Sequence, residues 1–228
     1  MTFYARAPSA LGQILLCVND DHLTGLYFVG QKDCPVIDGL PPHRPEARDP
    51  TFGTLSGRPI RNFRAGRSDS RALFGDGANG DAAWAQIAGP RAMPPTGGLT
   101  LMQPQTTPSA LAVFERTRHE LDEYFTGLRT VFSVPLAMSG TPFQKKVWEA
   151  LRSIPYGEVA SYADVARRAG YAAGYGRPVG AAVGRNPLTI IVPCHRVLSS
   201  TGTLNGYTGG LERKFALLNL EGWTIAPG

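Results

Sequence analysis

A thiol, an imidazole and a guanidinium stand side by side in Pro193-Cys194-His195-Arg196-Val197, directly after the apolar run Leu188-Thr189-Ile190-Ile191-Val192. A cysteine attacks as its thiolate, and a free thiol of pKa about 8.5 needs help at neutral pH. His195 and Arg196 are the candidate helpers. An isolated cysteine after an apolar run is more often a buried, inert thiol. Whether Cys194 reacts, and with what, depends on what the rest of the chain builds around it.

The chain has 228 residues, 43% of them hydrophobic and 18% charged, the profile of a globular protein with material for one large or two small domains. It has no apolar run of about 18 residues, so no transmembrane helix is expected and no membrane partner. The start, Met1-Thr2-Phe3-Tyr4-Ala5-Arg6, lacks the basic-then-apolar order of a signal peptide. Cys17, Cys34 and Cys194 are odd in number and far apart, which argues for a reducing, cytoplasmic setting over a disulfide framework. Charge is unevenly placed. Residues 1–140 carry 13 Lys+Arg against 13 Asp+Glu, whereas residues 141–228 carry 10 against 5, so the whole net charge of +5 lies with Cys194. A basic segment around a candidate nucleophile suggests an anionic partner, nucleic acid first, with a solvated basic face as the plain alternative.

The elements that must position these groups follow from pattern. Gln13–Cys17 and Leu23–Val29 read as strands of a hairpin turning at Asn19-Asp20-Asp21. Residues 36–107 are rich in Pro, Gly and scattered Arg, with little periodicity, and read as a partly disordered insertion. Order returns with a helix over 109–127, capped by Ser109, and a strand candidate at Thr130–Val134, giving a small antiparallel sheet with a helix on it. The remainder is mostly helical: one helix opening at Thr141-Pro142, one from Tyr162 to Ala169 capped by Ser161, one from Arg177 to Arg185, and a last from Leu211 to Leu220. Two short helices across the glycine-containing turn 171–176 make a helix-turn-helix candidate.

At this point the residues resemble a family. Gly140-Thr141-Pro142-Phe143-Gln144, Ile154-Pro155-Tyr156-Gly157-Glu158, Ser161-Tyr162, Asn186-Pro187, Pro193–Val197, Gly206-Tyr207-Thr208-Gly209-Gly210-Leu211 and Leu217-Leu218 with Glu221 stand in the order of the O6-alkylguanine-DNA alkyltransferases, also called methylated-DNA–protein-cysteine methyltransferases. The resemblance covers 140–221, and the early hairpin fits the family's N-terminal domain more loosely; the insertion has no counterpart. It implies an α/β (α+β) fold: an RNase H-like N-terminal domain over 1–137, and a winged-helix-like domain with the helix-turn-helix over 138–228. It also implies direct-reversal repair by a monomer on double-stranded DNA. There an O6-alkylguanine is flipped out and its alkyl group passes irreversibly to the cysteine, a base atom inside the stack being otherwise out of reach.

Carried over residue by residue, the resemblance makes Cys194 the nucleophile and His195 its base through a water. Glu221 becomes the group orienting His195, and Asn186 a hinge before the active-site strand. Tyr162 would push the target phosphate and contact the base, Arg177 would fill the gap left by the flipped base, and Val197, Tyr207 and Thr208 would line the guanine pocket under the loop 206–210. Arg196 receives no role. The family's Arg-Ala-Val-Gly reads Arg177-Pro178-Val179-Gly180 here, and the preceding turn is about one residue longer. Cys17, His22 and Cys34 form no four-ligand pattern, so no metal and no cofactor are expected. The competing readings are a non-catalytic helix-turn-helix module that senses DNA damage, and a cysteine hydrolase.

Overall fold

The computed structural model describes residues 1–40, 56–62 and 97–225. Strands β1 (Thr2–Ala7), β2 (Ile14–Asn19) and β3 (His22–Phe28) form an antiparallel sheet. The expected hairpin is present. Its two-residue turn puts Asp20 at φ 54°, a left-handed conformation that Asp tolerates. In β1, Phe3, Ala5 and Ala7 alternate inward, as a strand with one covered face requires, while β2 is buried along Ile14–Val18. Of two strands from the Pro- and Gly-rich stretch, β4 (Ile60–Asn62) lies elsewhere, and β5 (Thr100–Leu101) extends this sheet to the order β3-β2-β1-β5.

The stretch 36–107 is therefore not wholly without structure, and the rest of that expectation falls largely outside the described residues. The expected strand at Thr130–Val134 is a loop. Its polar groups are taken by side chains: Ser133 N–H donates to Glu120 Oε2 at 2.7 Å, and Arg129 Nη1 donates to Val131 O at 2.8 Å. β1, carrying no turn signal ahead of it, is the sheet's third strand instead. Helix α1 (Pro108–Phe125) lies against the sheet. Its cap is Thr107 rather than Ser109, with Thr107 Oγ1 accepting from Ala110 N–H at 3.3 Å.

The second half opens with α2 (Pro142–Arg152), whose Thr141 and Gln144 form a reciprocal capping box. Gly140 precedes it because a Cβ there would lie 2.6 Å from the Trp148 ring. Strand β6 (Ala160–Ser161) leads into α3 (Tyr162–Arg168), with Ser161 capping as expected through a box with Asp164. A 3₁₀ turn, Ala173–Tyr175, accommodates the longer connection, and α4 (Gly176–Val183) follows. Pro178 falls in its first turn, where no N–H is needed, so Arg177 stays helical despite the unusual proline. Trp148 Nε1–H donates to Ala182 O at 2.9 Å and fixes α2 to α4. A second 3₁₀ turn, Cys194–Arg196, precedes β7 (Val197–Leu198), which pairs in parallel with β6. Helix α5 (Leu211–Leu220) has the expected bounds, and β8 (Trp223–Ile225) pairs antiparallel with β4. One apolar core runs from Phe3 to Leu220 through both halves. Among the described residues no helix is long and apolar enough to cross a membrane.

Candidate active site

The apolar run before Cys194 is a chain of tight turns, not the strand that was expected. Leu26 N–H donates to Pro187 O at 2.8 Å and Thr189 N–H to Leu26 O at 3.0 Å, which hangs the run on β3. Ile190 is buried at φ 73°, an uncommon conformation for a β-branched residue. The turn is held closed by Asn186, whose Oδ1 accepts from Leu188 N–H at 3.0 Å and whose Nδ2 donates to Val192 O at 2.7 Å. The same Nδ2 lies 3.1 Å from Cys194 Sγ. Asn186 therefore shapes the turn and touches the thiol.

Cys194 is 4% exposed. Burial pushes its thiol up, against the Asn186 hydrogen bond, the charge of Lys214 and the N–H groups of Cys194 and His195. Lys214 itself is fully buried at the centre of α5. Its ammonium donates to Val197 O at 2.6 Å and Asn205 O at 2.7 Å; burial brings its pKa down to about 8, with Cys194 opposing that fall.

Because Cys194–Arg196 is a 3₁₀ turn, the three side chains fan outward instead of alternating. His195 reaches Glu221, with Nε2 2.9 Å from Oε1. An ionised carboxylate only accepts, so Nε2 carries the hydrogen and Nδ1 the lone pair. Nδ1 is buried without a hydrogen-bond partner. Burial lowers the pKa of His195, more than Glu221 restores it, so the ring is neutral at pH 7.

Glu221 is the hub. Its Oε1 accepts from Tyr124 OH at 2.7 Å, His195 and Arg196 Nη2 at 2.9 Å; its Oε2 accepts from Arg196 Nε at 2.9 Å and Gly157 N–H at 3.3 Å. Burial raises this carboxyl, but His195 and Arg196 overcome that and hold it at about 2. Arg196 also donates to Ile154 O at 2.6 Å and faces the Tyr156 ring.

The residues expected to line a base pocket lie in β7 and in the loop before α5. Val197 is buried and gives its carbonyl to Lys214. Tyr207 buries its hydroxyl, and burial and the neighbouring Cys194 hold it well above the usual phenol range. Tyr162, at the start of α3, rests its ring on α4: a Cβ at Gly180 would lie 3.6 Å from it. Its pKa is raised by burial first and then by the charge of Cys194. Thr208 is half-buried in the glycine loop, and Arg177 is exposed in the first turn of α4; neither makes a hydrogen bond to the thiol.

Sequence reasoning missed Lys214, Tyr124 and Arg213, and named Arg196 as a candidate helper without finding its partner. Arg213 Nε donates to Leu11 O at 3.0 Å and Nη1 to Gly209 O at 2.8 Å, and its guanidinium lies 4.6 Å over the Phe28 ring. Arg196 stood inside the motif and could have been paired with Glu221. The cationic residues of α5 gave no signal beyond interrupting its apolar face. Among the described residues no three His, Cys, Asp or Glu are grouped to hold a metal.

A buried thiol that follows a helix-turn-helix and precedes a glycine loop in the chain, next to a neutral imidazole held on a shared carboxylate, defines a class of cysteine-centred proteins. Residues 142–223 match the family model for the 6-O-methylguanine DNA methyltransferase, DNA binding domain. A methylated-DNA–protein-cysteine methyltransferase of Mycobacterium leprae is 52% identical over 47% of this chain and 65% of its own length. One of Methanosarcina acetivorans is 49% identical over 48% of this chain and 69% of its own. The match thus spans just under two thirds of the mycobacterial relatives. The crystal structure of Mycobacterium tuberculosis OGT in complex with DNA aligns with a TM-score of 0.59 at 30% identity, covering 95% of this chain and 90% of that one. The chain belongs to the methylated-DNA–protein-cysteine methyltransferase family.

Proposed function

We propose that this protein repairs DNA by direct reversal, moving the alkyl group from O6 of guanine irreversibly onto Cys194, one event per molecule. The observation that carries this reading is the buried Cys194 thiol, 3.1 Å from Asn186 Nδ2, followed in the chain by a neutral His195 ring held on the Glu221 carboxylate. The thiol proton leaves through a bridging water to His195 Nδ1, and Glu221 stabilises the imidazolium that forms. The thiolate sulfur attacks the alkyl carbon. The S–C bond forms as the C–O bond breaks, and the electron pair leaves on guanine, which recovers a proton. The product is a thioether, so the site is spent, and no cofactor enters the balance.

The partner is double-stranded DNA carrying O6-alkylguanine. Its minor groove, with a degenerate code, suits a protein that must ignore sequence. Tyr162, at the start of α3, drives the target nucleotide out, and the exposed Arg177 occupies the space it leaves. Val197, Tyr207 and Thr208 line the base pocket beneath the loop 206–210. The finer architecture of this reading is an RNase H-like domain over 1–137 and a winged-helix-like domain over 138–228, in a monomer. Free thiols at Cys17, Cys34 and Cys194 support a cytoplasmic setting.

Incubating the protein with duplex DNA containing O6-methylguanine is expected to add one methyl mass to the Cys194 peptide. DNA repaired, titrated against protein, is expected to plateau at one equivalent. An unchanged intact mass would refute the reading, and repair continuing past one equivalent would refute single use.

A further inference from the structure

Strand β4 comes from the stretch without a counterpart in the family's motifs, yet it is built onto the half of the chain that holds Cys194. Gly57 N–H donates to Leu204 O at 3.0 Å, Leu204 N–H to Arg58 O at 3.1 Å, and Ile60 N–H to Gly202 O at 3.1 Å. Residues 60–62 pair in addition with β8, at Ile60–Ile225, Arg61–Thr224 and Asn62–Trp223. The Ile60 side chain is 9% exposed and packs with Leu198, Leu204, Phe215 and Leu218, a small core separate from the main one. Leu204 is fully buried there.

The chain runs from Leu204 directly into the pocket loop, with only Asn205 and Gly206 before Tyr207. Downstream the loop is tied by Arg213 to Gly209 O at 2.8 Å, and Lys214 takes Asn205 O at 2.7 Å. A Cβ at Gly209 would lie 2.8 Å from the Tyr207 ring and 3.0 Å from the Phe28 ring, so the loop is also closely packed at its tip. On the upstream side, the backbone groups of Gly202 and Leu204 are held by residues 57–60. Without that segment they would lose these partners, and the upstream end of the loop would be held by the Ser199–Thr203 turn and by Lys214 on Asn205 O.

We propose that residues 57–62 are a positioning element for the Tyr207–Gly210 loop, so that the size of group the Cys194 pocket accepts depends on this segment. The inference rests on the alkyl-acceptor reading above. Its test compares full-length Ile60→Ala and Ile60→Val with the parent. Rates of Cys194 alkylation are followed by intact mass with free O6-benzylguanine and with O6-methylguanine duplex, and backbone hydrogen exchange is followed over 204–210. Ile60→Ala is expected to speed exchange at Leu204 and through the loop, and to lower the benzyl rate relative to the methyl rate by about tenfold, or ~1.4 kcal/mol. Ile60→Val is expected to stay near the parent, and duplex affinity to be unchanged. Should the alanine protein not fold, Ile60→Thr, which keeps the branched shape, gives the same readout. Unchanged loop exchange with an unchanged benzyl-to-methyl ratio overturns the proposal, as does an equal fall of both rates that merely follows lost stability. If the parent takes an alkyl group from neither donor, the alkyl-acceptor reading fails, and the exchange data still decide whether residues 57–62 hold the loop.

Discussion

Glu221 has two cationic or protonatable neighbours and one carboxylate to share between them, and this decides what its loss does. Replacing it by Gln removes the charge that balances buried Arg196 and the acceptor that fixes the His195 tautomer. Breaking a buried pair from one side costs about 3–5 kcal/mol, so Glu221→Gln is expected to lower the unfolding free energy by that order in a denaturant titration. His195→Gln is expected to keep the fold and slow alkyl transfer by roughly 10²-fold, the usual scale of a positioned base, as read by rapid-quench mass analysis. The pH dependence has a definite sign. Both groups have folded pKa values below their ordinary ones: Glu221 at about 2 against 4.5, and His195 lowered from 6.5 by burial. The unfolded chain therefore binds more protons on acidification, and stability present near pH 7 is lost as pH falls, first below 6.5 for His195 and then from 4.5 toward 2 for Glu221. Thermal melts should drop across both windows, and Glu221→Gln should flatten the lower one.

At the scale of elements, the proposed function gives α3 and α4 different tasks. Tyr162 on α3 is packed against α4 and is partly buried, whereas Arg177 on α4 faces outward. Arg177→Ala is expected to reduce base extrusion, measured with a fluorescent base analogue at the lesion, more than overall duplex affinity; equal losses would count against its role in filling the gap. Transfer from free O6-benzylguanine should be untouched by this change. Gly140→Ala puts a methyl group against Trp148 at the entrance to α2 and is expected to destabilise by about 1–3 kcal/mol, the cost of overpacking. The elements legible in the sequence were those with local signals: the hairpin with its Asp turn, the helix start at Thr141-Pro142, the Ser161 cap, and α5 from Leu211 to Leu220. β1 was missed because nothing local punctuates it. The strand expected at Thr130–Val134 failed because its β-branched and aromatic residues are outweighed by Glu120, which captures Ser133 from a different element. The site was legible as a motif, in Cys194, His195, Asn186 and Glu221. The hydrogen-bond geometry that joins them was not, because it depends on 3₁₀ and tight turns that no periodicity reports.

Across the whole molecule, the excess positive charge of residues 141–228 separates into two populations. Arg196 and Lys214 are buried and serve the site, and Arg213 is half-buried against the N-terminal hairpin. Lys145, Lys146, Arg152, Arg167, Arg168, Arg177 and Arg185 are exposed. Two of these seven already face carboxylates, Arg152 on Glu149 and Arg167 on Asp164, so their charge is partly answered within the protein. On the proposed function, the remaining five are the groups that would neutralise phosphates. Each phosphate so neutralised releases counterions and contributes about −0.9 to the slope of log affinity against log salt, so five contacts give roughly −4.5. Duplex affinity measured by fluorescence anisotropy between low and moderate salt should follow that slope, and Lys145→Ala or Arg185→Ala should each flatten it by about 0.9 without altering sequence preference. Alkylation of Cys194 by a free alkylguanine base involves no phosphate and should be nearly insensitive to the same salt range. A salt-independent duplex affinity would mean that these exposed cations form a solvated face and that the DNA lies elsewhere on the molecule.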